Sequence, residues 1–111
     1  MNAKGQKQHL SDFQQEMSDV LISKGGDYAT QDKLSNFKEV AKITKLSPER
    51  VALVMIATKV SRLSNLLDRE EAPNNESVRD SIKDTANYCV LLDAIVCEEE
   101  YEEKPNKKSR R

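Results

Sequence analysis

The 111-residue chain has one histidine, two cysteines and no tryptophan. The histidine, His9, lies in a polar N-terminal stretch and is expected at the surface. Its isolation excludes serine–histidine and cysteine–histidine catalysis as well as histidine-ligated metal sites. The cysteines, Cys89 and Cys97, are eight residues apart, which suits neither a zinc ligand pair nor a redox pair. They are therefore expected to be reduced core residues of a cytoplasmic protein.

Long apolar segments are also absent, since 37% of the residues are hydrophobic and 33% are charged. The longest apolar run, 51–58, is too short to span a bilayer and is followed by Lys59 and Arg62. The polar N-terminus does not have the pattern of a signal peptide. A monomer of this size and polarity would bury only a thin core. We therefore expect a homo-oligomer in the cytoplasm, without a membrane partner.

Neither sign of charge dominates, because the formal net charge is −1. A generic nucleic-acid binder would be more basic. Basic residues do collect at 104–111, in a segment of low hydrophobicity that is expected to be disordered. This tail is interpreted either as a solubilising segment or as a weak tether for nucleic acid or a protein partner.

The spacing of apolar residues predicts an all-α, four-helix bundle-like domain. Its helices are expected at about 12–24, 33–45, 48–69 and 75–100. The single helical domain would span 11–102, between a flexible segment at 1–10 and the disordered basic tail at 103–111.

Local signals place the ends of two of these helices. Ser11 is expected to cap the first helix, and the glycine pair at 25–26 to end it. The third helix has a strong start, with Ser47 as the cap, Pro48 in the first turn and Glu49 near the positive end of the helix dipole.

The predicted third helix is the centre of this arrangement, because it is apolar on nearly every side from Val51 to Thr58. Such a helix is usually buried. Lys59 and Arg62, which follow on the same helix, would then need partners of opposite charge.

The predicted fourth helix has two distinct faces. One carries the best periodic pattern in the chain and is expected to pack antiparallel against the third helix. Its residues are Val78, Ile82, Thr85, Cys89, Leu92 and Val96. The opposite face begins polar and becomes apolar, so it too is expected to be covered, by another subunit or by the first two helices. Its residues are Glu76, Asp80, Asp84, Asn87, Leu91 and Ile95.

The acids Glu76, Asp80 and Asp84 have two interpretations. In the first, Asp80 and Asp84 pair with Lys59 and Arg62 and serve only the structure. In the second, the acids bind Mg²⁺ while the two cations hold phosphate oxygens. Mg²⁺ commonly uses one or two carboxylates together with substrate phosphates, and arginine suits bidentate phosphate contacts. The spacing alone leaves both interpretations open.

The polar segment after the first helix is a second candidate site. Its glycine pair would let the backbone approach a ligand closely. Asp27 could then bind a cation or a ribose hydroxyl, and Tyr28 could stack on a base. The alternative is an ordinary helix-ending turn in which Asp27 caps the loop and Tyr28 covers the core. Asn36, which precedes Phe37, is expected to face this loop.

Three segments follow a pattern that occurs in known proteins. They are KGGDYATQDKLSNFK (24–38), TKVSRLSNL (58–66) and NNESVRDSIKDTANY (74–88). Together they resemble the nucleotide-modification-associated domain family of small phage and bacterial proteins, over about residues 11–97. The resemblance implies a phage-linked, nucleotide-related role in the host cytoplasm. The matching positions mark these candidates for ligand binding: Lys24, Asp27, Tyr28, Asn36, Lys59, Arg62 and Asn87. The candidates for a metal are Glu76, Asp80 and Asp84.

More loosely, the architecture is similar to that of the MazG-like all-α nucleoside triphosphate pyrophosphohydrolases. Those enzymes use an E-x-x-E pair and a later E-x-x-D pair to bind Mg²⁺ and split the α–β phosphate bond. This chain has only Glu16 and Asp19 on the first predicted helix, and no acid pair on the second. The resemblance therefore implies nucleotide binding rather than a complete hydrolytic site.

The sequence thus predicts a small phage-type protein that recognises a nucleotide or a nucleotide-derived ligand. The lysine–arginine pair, the acidic helix face and the GGDY loop would hold that ligand. The alternatives are a Mg²⁺-dependent nucleoside triphosphate pyrophosphohydrolase and a non-catalytic structural or regulatory oligomer.

Overall fold

The computed structural model describes the backbone of residues 1–25, 34–69 and 75–103, and the side chains of 1–20, 34–69 and 77–98. Within these ranges there are four helices and no strand: α1 (Ala3–Gly25), α2 (Ser35–Thr44), α3 (Pro48–Leu67) and α4 (Asn75–Glu103). The all-α prediction is confirmed. None of these helices, over the part described, is apolar for long enough to cross a membrane. The chain divides into two compact units, Met1–Lys33 and Leu34–Arg111.

The helix of the first unit, α1, begins earlier than predicted. A start near Asp12 with Ser11 as the cap is wrong, because Asn2 caps the helix instead. The carboxamide oxygen of Asn2 accepts a hydrogen bond from the backbone N–H of Gly5 at 2.9 Å, and its carbonyl accepts one from the N–H of Gln6 at 3.0 Å. The side-chain bond pairs an N–H group of the first turn that has no carbonyl partner within the helix, and the carbonyl bond is the first of the helical pattern.

In the second unit, α3 begins as the sequence predicts. The hydroxyl of Ser47 accepts a hydrogen bond from the backbone N–H of Arg50 at 3.1 Å. Pro48 follows at the first helical position, where its missing N–H costs nothing, and Glu49 is the acid of the first turn. This local start sets where α3 begins.

The core of the second unit lies where α2, α3 and α4 meet, and it is small. The buried apolar residues of the described part are Leu34, Phe37, Ala41, Val51, Ala52, Leu66 and Ile95. Ala52, early in α3, shares a cluster with Ile95, late in α4. Lys59, later in α3, reaches Asp84, which is earlier in α4. The two helices therefore run antiparallel, as predicted.

The helix α4 packs on a stripe that includes only part of the predicted face: Leu92 of that face contacts the core, and so do Leu91 and Ile95 of the opposite face, which was also expected to be covered. Ser81, Tyr88 and Ile95, seven residues apart, face the core together with Leu91. The predicted face is exposed at three of its positions, Ile82, Cys89 and Val96. Both faces have a helical spacing of apolar residues, and the tyrosine decides between them because an aromatic ring buries more area than a small side chain. The expectation of two core cysteines is wrong for Cys89.

The helix α3 also packs on one side only, so its predicted burial on all sides does not hold within one chain. Its inward side contains Val51, Ala52 and Leu66. Apolar residues that remain exposed on α3 are Leu53, Val54, Val60 and Leu67. Ile43 of α2 is exposed as well.

Candidate functional site between α3 and α4

Lys59 lies at the centre of the candidate site. Its ammonium nitrogen Nζ is 3.4 Å from Oδ2 of Asp84 on α4, which is one of the ion pairs of the first interpretation of the acids. The side chains of Lys59 and Asp84 are 27% and 41% exposed. A pair this open to solvent contributes at most about 1 kcal/mol to stability. The ammonium can also be reached by a ligand from solvent.

The position of Lys59 on α3 is unusual, because it interrupts the stripe that packs into the core. Ala52 and Leu66, seven residues before and after it, are both buried. Seven residues are nearly two full turns, so all three positions lie on one side of the helix. The aliphatic stem of a lysine can cover apolar surface while the ammonium stays at the edge. A charged residue at the edge of a small core departs from the apolar pattern of the inward side of α3. Departures of this kind are expected at functional sites.

An aromatic pair forms the wall behind the lysine. The Lys59 Nζ lies 6.0 Å from the centre of the Tyr88 ring. That ring packs edge-to-face against Phe37 of α2, with centroids 6.2 Å apart and an interplanar angle of 88°. Phe37 is a core residue, so it holds Tyr88 in place. The ring and the carboxylate of Asp84 together fix the direction in which the ammonium points.

Asn87 supplies an unpaired polar atom next to this wall. Its carboxamide oxygen Oδ1 is buried and has no hydrogen-bond partner among the residues that the structure describes. Buried polar atoms are almost always paired, and leaving one unpaired costs about 1–3 kcal/mol. Asn87 directly precedes Tyr88 and lies three residues after Asp84, so it is a neighbour of the ion pair on α4. A carboxamide oxygen accepts from N–H and O–H donors, such as those of a base or a sugar.

The other two charged candidates of this region are exposed. Arg62 lies three residues after Lys59 and therefore on the neighbouring part of α3. Asp80 does not join Arg62 in the predicted pair. Its Oδ1 instead lies 3.9 Å from Nζ of Lys83, on the same helix.

The structure does not bring the remaining predicted site residues together with Lys59, Asp84 and Asn87. Asn36 is exposed in the first turn of α2, directly before Phe37. The side chains that lie outside the described residues are those of Lys24, Asp27, Tyr28 and Glu76. The basic tail at 104–111 is outside them as well.

The described acids do not form a ready metal site. Among the described residues, no three histidine, cysteine, aspartate or glutamate side chains lie close enough together to hold a metal ion. Asp80 and Asp84 each have a lysine ammonium within 4 Å, and Mg²⁺ would have to compete with both. The pair as it stands does not fit Mg²⁺, and the predicted magnesium site that includes Glu76 stays a prediction.

Sequence reasoning missed the residues that support the site. Tyr88 was not a candidate, although it lies seven residues from both Ser81 and Ile95 and therefore belongs to the inward stripe. The link between α2 and α4 was also missed: Lys38 Nζ donates to Glu98 Oε2 at 2.9 Å. These residues are 60 positions apart in the chain, and no local pattern indicates that they meet.

Neither known protein families, nor curated proteins, nor solved structures give a match to this chain. The two resemblances noted in the sequence therefore stay predictions.

Proposed function

We propose that the surface around Lys59, between α3 and α4, binds a phosphorylated nucleoside or a ligand derived from one. One observation carries this proposal: a partly exposed lysine on α3 pairs with Asp84, and three residues further along α4 the carboxamide oxygen of Asn87 is buried without a partner among the described residues. The first suits a phosphate and the second suits a donor on a base or a sugar.

Lys59 and Arg62 supply the positive charge for the phosphate. The lysine ammonium is a compact charge with three donors, and the arginine guanidinium offers a planar fork that matches two phosphate oxygens. They are three residues apart on one helix, so both can contact the same phosphate chain. Charge-assisted hydrogen bonds of this kind contribute about 1.5–3 kcal/mol each.

Asp84 limits the strength of this attraction. Its carboxylate lies 3.4 Å from the lysine ammonium and would repel an incoming phosphate. A ligand therefore has to compete with Asp84 for Lys59. Phosphate alone would gain little binding energy from a lysine that is already paired with a carboxylate. The site should therefore prefer ligands that make further contacts over inorganic phosphate.

Asn87 supplies the contact that distinguishes a nucleoside from inorganic phosphate. Binding a donor at its Oδ1 removes the cost of leaving that atom unpaired, so this contact strengthens the complex more than a bond to an exposed group would. The predicted roles of Asp27 and Tyr28 on the nucleoside side are additional to this contact.

Calorimetric titration of the purified full-length chain with nucleoside mono-, di- and triphosphates and cyclic nucleotides tests the proposal. Each titration is run with Mg²⁺ and with a chelator. We expect saturable binding that Arg62→Ala and Lys59→Met each weaken by about 10- to 100-fold. The control is Lys42→Ala, which removes an exposed positive charge from α2 and should leave the affinity unchanged.

The same titrations separate the alternatives. Nucleotide turnover that requires Mg²⁺ and is abolished by both Asp80→Asn and Asp84→Asn would identify a pyrophosphohydrolase. Binding without turnover agrees with the proposal. No binding to any member of the panel would contradict it and favour a purely structural role for the Lys59–Asp84 pair.

A further inference from the structure

The helix α3 carries a regular apolar stripe on the side away from its core. Leu53, Val60 and Leu67 are seven residues apart, with Ala57 and Ser64 between them, and all five are exposed. We call these five residues the outer stripe. Alternate spacings of four and three are the pattern of a helix that packs against another helix. Large and small side chains alternate along the stripe.

We propose that the outer stripe packs against the outer stripe of a second copy of this chain, with the two α3 helices antiparallel. The two-fold axis passes between Ala57 and Val60. In this register large residues meet small ones along the middle of the stripe: Leu53 faces Ser64 of the second copy, and Val60 faces its Ala57. Leu67, at the end of the stripe, lies against Arg50 of the second copy. Such alternation fills the space between two helices without voids. A parallel pair would place large against large and small against small.

The charges at the two ends of the outer stripe fit the same register. Arg50 lies one turn before Leu53, and Asp68 directly follows Leu67; both are exposed. They are 18 residues apart, which is five helical turns, so they lie on the same flank of the stripe. In the antiparallel pair, Arg50 of each copy lies beside Asp68 of the other. A parallel pair would instead keep Arg50 of one copy five turns away from Asp68 of the other, so the two could not pair across the seam.

The second copy also accounts for the apolar surface that a single chain leaves open on α3. It does not touch the candidate ligand site, because Lys59 belongs to the inward side of α3 and Val60 to the outward side. The proposed dimer is therefore independent of the proposed function, and either can fail without the other.

Sedimentation velocity of the full-length chain over a range of concentrations tests the dimer. We expect a reversible dimer. The substitution Val60→Glu places two carboxylates at the two-fold axis in an apolar seam and should raise the dimer Kd by about 100- to 1,000-fold. The matched control is Val90→Glu on α4, because Val60 and Val90 are 48% and 49% exposed. The control should remain a dimer, and circular dichroism should show unchanged helix content in both variants.

A charge exchange tests the direction and register. Arg50→Asp alone should weaken the dimer by about 2- to 30-fold, since it removes two exposed ion pairs and adds repulsion. The double variant Arg50→Asp, Asp68→Arg should recover the affinity of the original protein. A chain that stays monomeric at every concentration would overturn the proposal. A dimer that resists Val60→Glu, or a double variant that does not recover, would overturn it as well.

Discussion

Replacing Asn87 with leucine should make the protein more stable and, at the same time, weaken binding of the proposed ligand. The carboxamide oxygen of Asn87 is buried without a partner among the described residues. Folding therefore removes its hydrogen bonds to water and replaces them with none. Leucine has nearly the same shape and no polar atom. The substitution removes an unpaired group instead of breaking a bond, and such changes are neutral or stabilising.

The expected gain can be bounded from the burial of this side chain. An unpaired buried polar group costs about 1–3 kcal/mol. Asn87 as a residue is only partly buried, so we expect the lower part of this range, about 1–2 kcal/mol. A chain of this size gains about 4 °C in Tm for each 1 kcal/mol. Asn87→Leu should therefore melt about 4–8 °C higher.

Urea unfolding followed by circular dichroism measures the difference directly. The midpoint should rise while the slope m stays unchanged, because the surface exposed on unfolding hardly changes. Asn65→Leu is the control: Asn65 is exposed on α3, so its replacement should change stability by at most about 0.5 kcal/mol. If Asn87→Leu lowers stability by about 1 kcal/mol or more, Oδ1 is hydrogen-bonded in the folded protein and the reasoning is refuted.

Three further predictions concern the framework of the site. Phe37→Ala should cost about 3–5 kcal/mol, because Phe37 is 4% exposed; a loss below about 1.5 kcal/mol in urea unfolding would contradict its place in the core. Ser47→Ala should cost about 1 kcal/mol through the lost cap, whereas Ser61→Ala, at an exposed position inside α3, should be close to neutral. A double-mutant cycle with Lys38→Met and Glu98→Gln should give a coupling of about 0.5 kcal/mol that shrinks in high salt, and no coupling would show that the 2.9 Å pair does not persist in solution.

Features set by neighbours in sequence could be predicted, and α3 is the clearest case. The cap, the proline and the acid at 47–49 act within one turn, so the sequence alone places the start of the helix. The start of α1 was missed because its first turns are polar and show no apolar period. Lysine, glutamine and alanine nevertheless favour helix, and Asn2 can cap it as well as Ser11.

Features that depend on which surfaces meet could not be predicted with the same success. The spacing on α4 is compatible with either of two stripes facing inward, and only packing against α3 decides between them. The Lys59–Asp84 pair was predictable because a charge on an apolar helix needs a partner. The support from Tyr88 and the unpaired oxygen of Asn87 was not, because burial of a single atom follows from the packed structure.

The most direct test of the central claim is the affinity of Asp84→Asn for a nucleoside triphosphate in the absence of Mg²⁺. If phosphate binds Lys59 in competition with Asp84, removing the carboxylate charge should tighten binding by about three- to tenfold. Lys59→Met in the same assay should remove that gain. Binding that weakens or stays the same in Asp84→Asn would contradict the claim that Lys59 holds the phosphate.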